Sequence, residues 1–208
     1  MIPEKWEPVF RGIMPSKWRS ARKIQSLAGH PVPSEIGWVG APEQRMMAVL
    51  HGSRGSPMAK AYYSTVFEQP AGEVWKIIRD FNNYPVWVHG AATSEIEGGK
   101  SGDTVGAVRN VLYRERRIRQ RLLAQSDVER FQTYEFADSP TLPVTDFSAT
   151  LRVTPVVDGD RAFIEWWAVF DCDAGSRVEL AQTLTGWFET WLESLRDEMA
   201  LRPVPAER

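Results

Sequence analysis

The segment from Ser176 to Met199 limits the possible folds more than any other part of the chain. Four residues, Ser176-Arg177-Val178-Glu179, match a capping box and predict where a helix begins. A helix of about 24 residues is about 36 Å long at 1.5 Å per residue, so its apolar stripe needs a broad surface to cover it. Apolar side chains follow at helical spacing: Leu180, Leu184, Trp187, Phe188, Trp191, Leu192, Leu195 and Met199.

Segments rich in β-branched and aromatic residues supply a sheet for that helix to cover. A strand is predicted over 61–67, followed by a helix that Pro70 opens and a short helical turn over 82–89. Six further strands are predicted over 94–97, 105–113, 117–125, 130–136, 147–157 and 161–171. Asp158-Gly159 is typical of the hairpin turn between the last two. This order predicts an α+β fold in which an antiparallel sheet holds one long helix.

Residues 1–57 differ from the rest of the chain in charge and in regularity. They contain eight basic and four acidic residues, whereas residues 58–208 carry an acidic excess. Several prolines interrupt any periodicity there. We therefore expect a weakly structured arm over 1–57, a domain over 58–200 and a tail over 201–208. Two interpretations of the arm stay open: it is a genuine part of the protein, or translation truly starts at Met58.

Composition argues against several classes of protein. The 25 basic and 27 acidic residues give a formal net charge of −2, which disfavours nucleic acid as the main partner. A single cysteine, Cys172, rules out an intramolecular disulfide and a cysteine-based metal site. No apolar run approaches the roughly 20 residues of a membrane span, and no apolar core of a signal peptide is present. We expect a cytoplasmic protein with no membrane span, no metal and no cofactor.

Three stretches resemble the START-like, Bet v 1-like superfamily, also called SRPBCC. Residues 70–81 (PAGEVWKIIRDF) are similar to the polyketide cyclase/dehydrase and lipid transport group. Residues 102–111 (GDTVGAVRNV) and 164–167 (IEWW) are similar to the abscisic-acid receptor branch. The resemblance covers about residues 59–200. It implies a helix-grip fold: a seven-stranded antiparallel sheet wrapped around a long C-terminal helix, with two short helices after the first strand.

Alternation along the last two strands assigns side chains to the two faces of the sheet. In the strand over 147–157, every second residue from Phe147 is apolar and should face the helix. In the strand over 161–171 both faces carry apolar residues, and the resemblance implies that Glu165 and Trp167 point inward. Trp166 and Phe170 would then point outward. A carboxylate in an apolar interior is costly without a partner, so we expect Arg121 or Arg109 to pair with Glu165.

These faces and the resemblance together predict a ligand cavity of at least a few hundred Å³ between helix and sheet. The same aromatic residues would also suit a packed core, and large tryptophans would shrink any gap. The segment over 138–146, which holds Leu142, is interpreted either as a lid at the mouth or as an ordinary loop. The predicted ligand-binding residues are Arg109, Tyr113, Arg121, Tyr134, Phe136, Leu142, Phe147, Glu165, Trp167, Trp187, Phe188 and Trp191.

The function predicted on this basis is binding or transport of an apolar or amphipathic small molecule, such as a lipid, an aromatic or a polyketide-like compound. A first alternative is a polyketide cyclase/dehydratase-type enzyme with Glu165 as its acid or base. A second is a dimeric interaction module that uses Trp166 and Phe170, and both a monomer and a homodimer stay open.

Few residues suited to nucleophilic catalysis are present. Within 58–208 the only histidine is His89 and the only thiol is Cys172, so the residues needed for a Ser-His-Asp or Cys-His arrangement are incomplete.

Overall fold

A single antiparallel sheet and a long C-terminal helix make up the domain in the computed structural model. The structure describes residues 58–138 and 142–202, so the predicted arm over 1–57 lies outside the described residues. The strands run in the order β1-β7-β6-β5-β4-β3-β2, which confirms the predicted α+β arrangement. The elements are β1 (Ala59–Phe67), α1 (Ala71–Ile78), α2 (Tyr84–Trp87), β2 (Ala91–Ile96), β3 (Val108–Tyr113), β4 (Arg116–Ser126), β5 (Phe131–Phe136), β6 (Thr145–Val156), β7 (Arg161–Asp171) and α3 (Arg177–Ala200).

Helix α3 occupies the predicted segment, but its first turn differs from the prediction. Ser176 makes no side-chain hydrogen bond as the residue that precedes the helix. Its backbone has φ −98° and ψ −8°, close to helical values, whereas a capping side chain needs an extended backbone at that position. A short 3₁₀ turn over Ala174–Ser176 leads into the helix instead. The predicted capping box was therefore wrong, although the predicted helix is present.

The inner face of the sheet, defined as the face that packs against α3, is fixed by the pairing of β6 with β7. Leu151 lies opposite Trp166, and Ala149 lies opposite Ala168. Residues directly opposite each other in an antiparallel pair point to the same side of the sheet. Since Leu151 is buried as predicted, Trp166 must be buried with it, and it is fully buried. The predicted outward position of Trp166 and Phe170 was wrong, because both lie in the core.

Helix α3 also covers the free edge of β1. The backbone N–H of Tyr62 donates to Thr185 Oγ1 at 3.3 Å, and Arg196 donates to the carbonyl oxygen of Val66 at 3.0 Å. An uncovered edge strand exposes unpaired backbone groups to other chains. Helix α3 therefore covers both the core and the free edge of β1.

The two short helices complete the inner layer. Helix α1 buries Val74, Trp75 and Ile77, and its neighbours across the core are β6 and β7. In α2, Trp87 lies 6.1 Å from the ring of Trp166, so the second helix closes the core beside α3. Among the residues that the structure describes, no helix is both long and apolar enough to cross a membrane.

Candidate functional site

A cavity of about 120 Å³ lies between α3 and strands β3 to β6. Helix α3 contributes one wall, and the inner face of the sheet contributes the other. The lining residues are Tyr113, Arg117, Ile118, Arg119, Gln120, Tyr134, Phe136, Asp138, Leu142, Phe147, Leu184, Trp187, Phe188 and Trp191. The lining is therefore mostly aromatic and aliphatic, with a small polar part, which is the usual composition of a small-molecule site.

Aromatic side chains hold the wall of the cavity in place through contacts with one another. The rings of Phe136 and Phe147 lie 4.4 Å apart. Trp191 contacts Tyr113 edge to face at 5.8 Å and donates its indole N–H to the Tyr113 hydroxyl at 3.1 Å. The Trp187 ring lies 6.0 Å from that of Trp191. These large side chains occupy much of the gap between helix and sheet, so the expected cavity of a few hundred Å³ was wrong and the observed one is smaller.

Charged side chains mark the end of the cavity that reaches the surface. Arg119 forms ion pairs of 2.6 Å with both Glu97 and Asp138. Its hydrogen bond with Glu97, followed by that with Asp138, raises the pKa of Arg119, and the bond from Arg119 lowers the pKa of Glu97. Arg117 is exposed at the same end and donates to Asn110 Oδ1 at 3.2 Å. Both arginines lie at this end of the cavity, and they alternate along β4 with the inward Ile118 and Gln120, so their side chains belong to the outer face of the sheet.

Arg109 lies behind the wall of the cavity and is fully buried. Its guanidinium donates from Nε and Nη2 to Gln120 Oε1 at 2.9 and 2.7 Å, and from Nη1 to the carbonyl oxygen of Phe81 at 2.7 Å. The guanidinium carbon also lies 3.9 Å from the centre of the Phe81 ring and 3.5 Å from that of Tyr84. The predicted inward position of Arg109 is confirmed, and the groups that hold it are neutral.

Three polar side chains of the lining have groups directed to the interior. Gln120 is buried, and Arg109 occupies its oxygen, which leaves its NH₂ group as the remaining polar function. The indole nitrogen of Trp187 is buried and has no hydrogen-bond partner within the described part of the chain. Tyr134 accepts a hydrogen bond from Trp166 Nε1 at 3.1 Å. Burial, followed by the influence of Tyr84, raises the pKa of Tyr134 well above its ordinary value, so its hydroxyl stays neutral.

The structure places eight of the twelve predicted binding residues in the lining of this cavity. Their position there is a structural fact, and their role in binding a ligand stays a prediction. These eight residues are Tyr113, Tyr134, Phe136, Leu142, Phe147, Trp187, Phe188 and Trp191.

Glu165 and Trp167 lie on the outer face of the sheet, so their predicted inward position was wrong. The pairing of β6 with β7 turns Trp166 inward and both neighbours outward. Glu165 accepts a hydrogen bond from the exposed Tyr62 hydroxyl at 3.2 Å. A carboxylate there keeps its contact with water and avoids the cost of burial. Glu165 therefore stands apart from the cavity in which it was expected to act as an acid or base.

Arg121 also lies on the outer face, where it forms a 2.7 Å ion pair with Glu135 on the neighbouring strand. The buried side chains on either side of it in β4 are Gln120 and Leu122. Since neighbouring residues of a strand point to opposite faces, Arg121 cannot share the interior with them. The predicted pair of Arg121 with Glu165 is absent from the described structure.

Six lining residues were not predicted. Leu184 belongs to the apolar stripe of α3, one turn before Trp187, and this spacing would have indicated it. In β4, Ile118 and Gln120 alternate with the outward arginines, so strict alternation would have placed both inward. Because Gln120 is polar, hydrophobicity alone does not predict its burial. Its hydrogen bond from Arg109 explains why it is buried. The remaining three are Arg117, Arg119 and Asp138 at the mouth.

Solved structures of other proteins share this fold. A Thermobifida fusca protein is 27% identical, with a TM-score of 0.62 over 73% of this chain and 100% of its own. A Nitrosospira multiformis protein is 26% identical, with a TM-score of 0.59 over 67% of this chain and 94% of its own. The di-domain ARO/CYC protein BexL from the BE-7585A biosynthetic pathway has a TM-score of 0.60 at 16% identity, which shows the fold alone. The alignment spans 69% of this chain and 47% of BexL.

No curated protein matches the sequence significantly. The similarity to the abscisic-acid receptor branch stays a prediction. A family model described as "Polyketide cyclase / dehydrase and lipid transport" matches residues 58–200, which include every element of the described domain. The chain therefore belongs to the polyketide cyclase / dehydrase and lipid transport family.

Proposed function

We propose that this chain binds an apolar or amphipathic small molecule in the cavity between α3 and the sheet. The observation that carries the proposal is the cavity itself, which aromatic side chains line from both sides within a tightly packed core. Protein interiors contain few voids larger than a water molecule. A void of about 120 Å³ far exceeds the roughly 10–15 Å³ that one water requires.

The composition of the lining supports an organic ligand. Apolar cavities of about 150 Å³ stay free of water and accept a benzene-sized molecule. The present cavity has similar dimensions and is lined by aromatic rings such as Phe136 and Trp187. Its polar groups are few and lie at Gln120 and at the mouth, an arrangement that would orient a ligand. Membership in a family of cyclases, dehydrases and lipid carriers agrees with such a role.

A cavity-filling substitution tests the proposal. Leu184 is buried and lines the cavity, so Leu184→Phe would place additional atoms in the ligand volume. We expect p-cresol, a neutral single-ring probe, to bind the full-length chain saturably in calorimetry, and to bind Leu184→Phe at least tenfold more weakly. Val178→Phe is the control, because Val178 is an exposed residue on the same helix, and it should leave the affinity unchanged.

Thermal unfolding of each variant establishes that it is folded before the affinities are compared. Equal affinity of the wild type and a folded Leu184→Phe would show that p-cresol binds elsewhere. Absence of saturable binding of p-cresol, benzoate and indole to the wild type would contradict the proposal.

A further inference from the structure

The polar side chains around the cavity are mainly hydrogen-bond donors. Gln120 presents its NH₂ group, because Arg109 occupies the amide oxygen. The indole nitrogen of Trp187 is fully buried, so it does not face the open space of the cavity. The Tyr113 hydroxyl accepts the indole N–H of Trp191, so its own hydrogen is available for donation. A ligand that satisfies these groups must offer acceptor oxygens.

The carboxylate in the lining does not compete with such a ligand. Asp138 is the acidic side chain among the described lining residues, and it is held in a 2.6 Å ion pair by Arg119. Arg117, at the same mouth, donates to a neutral amide rather than to a carboxylate. Counted with Glu97, the charged side chains at this end are two positive and two negative, and Arg117 and Arg119 belong to the outer face of β4, so the entrance itself selects neither sign of charge.

Arg109 adds a positive charge directly behind the wall. It is fully buried, and its hydrogen-bond acceptors are the neutral oxygens of Gln120 and Phe81. None of the described residues places a carboxylate in a salt bridge with it. A buried cation without a counter-ion is costly, and electrostatic interactions act more strongly in a low-dielectric interior than in water. Negative charge in the adjacent cavity would offset that cost.

We propose that the ligand of this cavity is a single-ring aromatic anion, whose negatively charged oxygens accept hydrogen bonds from Gln120 and Tyr113. This inference rests on the proposed function and adds the charge and the size of the ligand to it. The ring occupies the aromatic part of the cavity, and Arg109 compensates the negative charge through Gln120. The volume of about 120 Å³ admits one ring and excludes fused polycyclic skeletons.

Three probes separate the effect of charge from that of size. Benzoate and benzamide have nearly the same shape, since an NH₂ group replaces one carboxylate oxygen, and only benzoate is negatively charged at pH 7. We expect the full-length chain to bind benzoate at least tenfold more tightly than benzamide, and to bind 9-anthracenecarboxylate at least tenfold more weakly than benzoate. Calorimetry at constant ionic strength measures all three affinities.

A matched pair of tyrosine variants then tests one proposed donor. Tyr113 and Tyr84 are both buried, but of the two only Tyr113 lines the cavity. We expect Tyr113→Phe to weaken benzoate binding about tenfold, because hydrogen bonds to charged groups are the stronger ones. Tyr84→Phe should change the affinity less than twofold.

The outcomes distinguish this inference from the function on which it rests. Equal affinity for benzoate and benzamide, or an unchanged benzoate affinity in Tyr113→Phe, would overturn the assignment of an anion held by these donors. Tight binding of 9-anthracenecarboxylate would overturn the single-ring limit. In both cases saturable binding in the cavity would still support the proposed function. Failure of p-cresol, benzoate and indole alike would overturn both proposals.

Discussion

Arg109 is the residue that most connects the core to the cavity. It lies between the rings of Phe81 and Tyr84 and is bonded to two neutral oxygens. A guanidinium suits this position because its planar shape stacks on aromatic rings while its edge donates several hydrogen bonds. Lysine would provide the charge without the flat, forked shape. The same side chain thereby fixes the orientation of Gln120 at the wall of the cavity.

Asp127 gives a prediction about the dependence of stability on pH. Its carboxylate accepts hydrogen bonds from Arg79 at 3.1 and 2.8 Å and from Trp75 Nε1 at 2.8 Å, which join α1 to the turn after β4. Arg79, followed by Trp75, lowers the pKa of Asp127. A carboxyl group whose pKa is lowered by folding stabilises the protein above its unfolded pKa of about 3.9. That stabilisation is lost as the pH falls through the folded pKa.

We therefore expect Asp127→Asn to lower the free energy of unfolding at pH 7, by less than about 1 kcal/mol because the pair is half exposed. The difference from the wild type should disappear as the pH falls from 4 toward 2. Urea unfolding at a series of pH values measures it. Asp158→Asn is the control, since Asp158 is almost fully exposed in its ion pair with Arg161. A difference that stays constant down to pH 2 would refute the role of the Asp127 charge.

Glu165 shows where residue-level prediction from the sequence failed. Both faces of β7 carry large apolar residues, so its alternation alone does not select the inner face. The resemblance then favoured the wrong one. The register with β6 settles the question, since Leu151 is buried and lies opposite Trp166. Strand pairing is a long-range property, and the pattern of one strand does not contain it.

At the scale of elements, helix α3 packs on the inner face of the sheet and also forms hydrogen bonds to the free edge of strand β1. Arg196 donates to the carbonyl oxygen of Val66 at 3.0 Å and to Thr65 Oγ1 at 2.9 Å. Its guanidinium also lies 4.4 Å from the centre of the Phe67 ring. The hydrogen bond to Val66 satisfies a backbone carbonyl that an edge strand would otherwise expose, and the other two contacts hold the side chains of β1.

We expect Arg196→Ala to reduce the free energy of unfolding by about 1–2 kcal/mol, because two hydrogen bonds from a charged donor are lost. Amide hydrogen exchange should become faster in β1 and stay unchanged in β4, which lies far across the sheet. Arg152→Ala serves as the control, because Arg152 pairs only at 3.3 Å with the exposed Glu129. Unaltered exchange in β1 would show that α3 does not protect that edge.

The helix α3 itself could be predicted well, and the reason is local. Its apolar spacing is set by 3.6 residues per turn and needs no knowledge of the rest of the chain. The bounds of Arg177–Ala200 follow the pattern closely. By contrast, the hydrogen bonds of its first turn depend on how the chain enters from β7, which the capping motif does not encode.

For the whole molecule, the order of strands and helices predicted both the number of strands and the antiparallel sheet. The volume of the cavity could not be predicted in the same way. It depends on how far Trp187, Trp191 and Phe147 extend into the space between α3 and the sheet, which is a matter of side-chain packing across several elements. The aromatic residues of α3 therefore both define the binding site and limit its size.

The most direct test of the account is to map p-cresol onto the indole N–H signals of the full-length chain in ¹H–¹⁵N spectra, with each signal assigned by a single Trp→Phe substitution. Trp187 and Trp191 line the cavity, whereas Trp167 lies on the outer face of the sheet. If the cavity binds small molecules, the signals of Trp187 and Trp191 will shift saturably and that of Trp167 will not. Saturable shifts at Trp167 alone would contradict the account, as would the absence of a saturable shift at every tryptophan both with p-cresol and with benzoate.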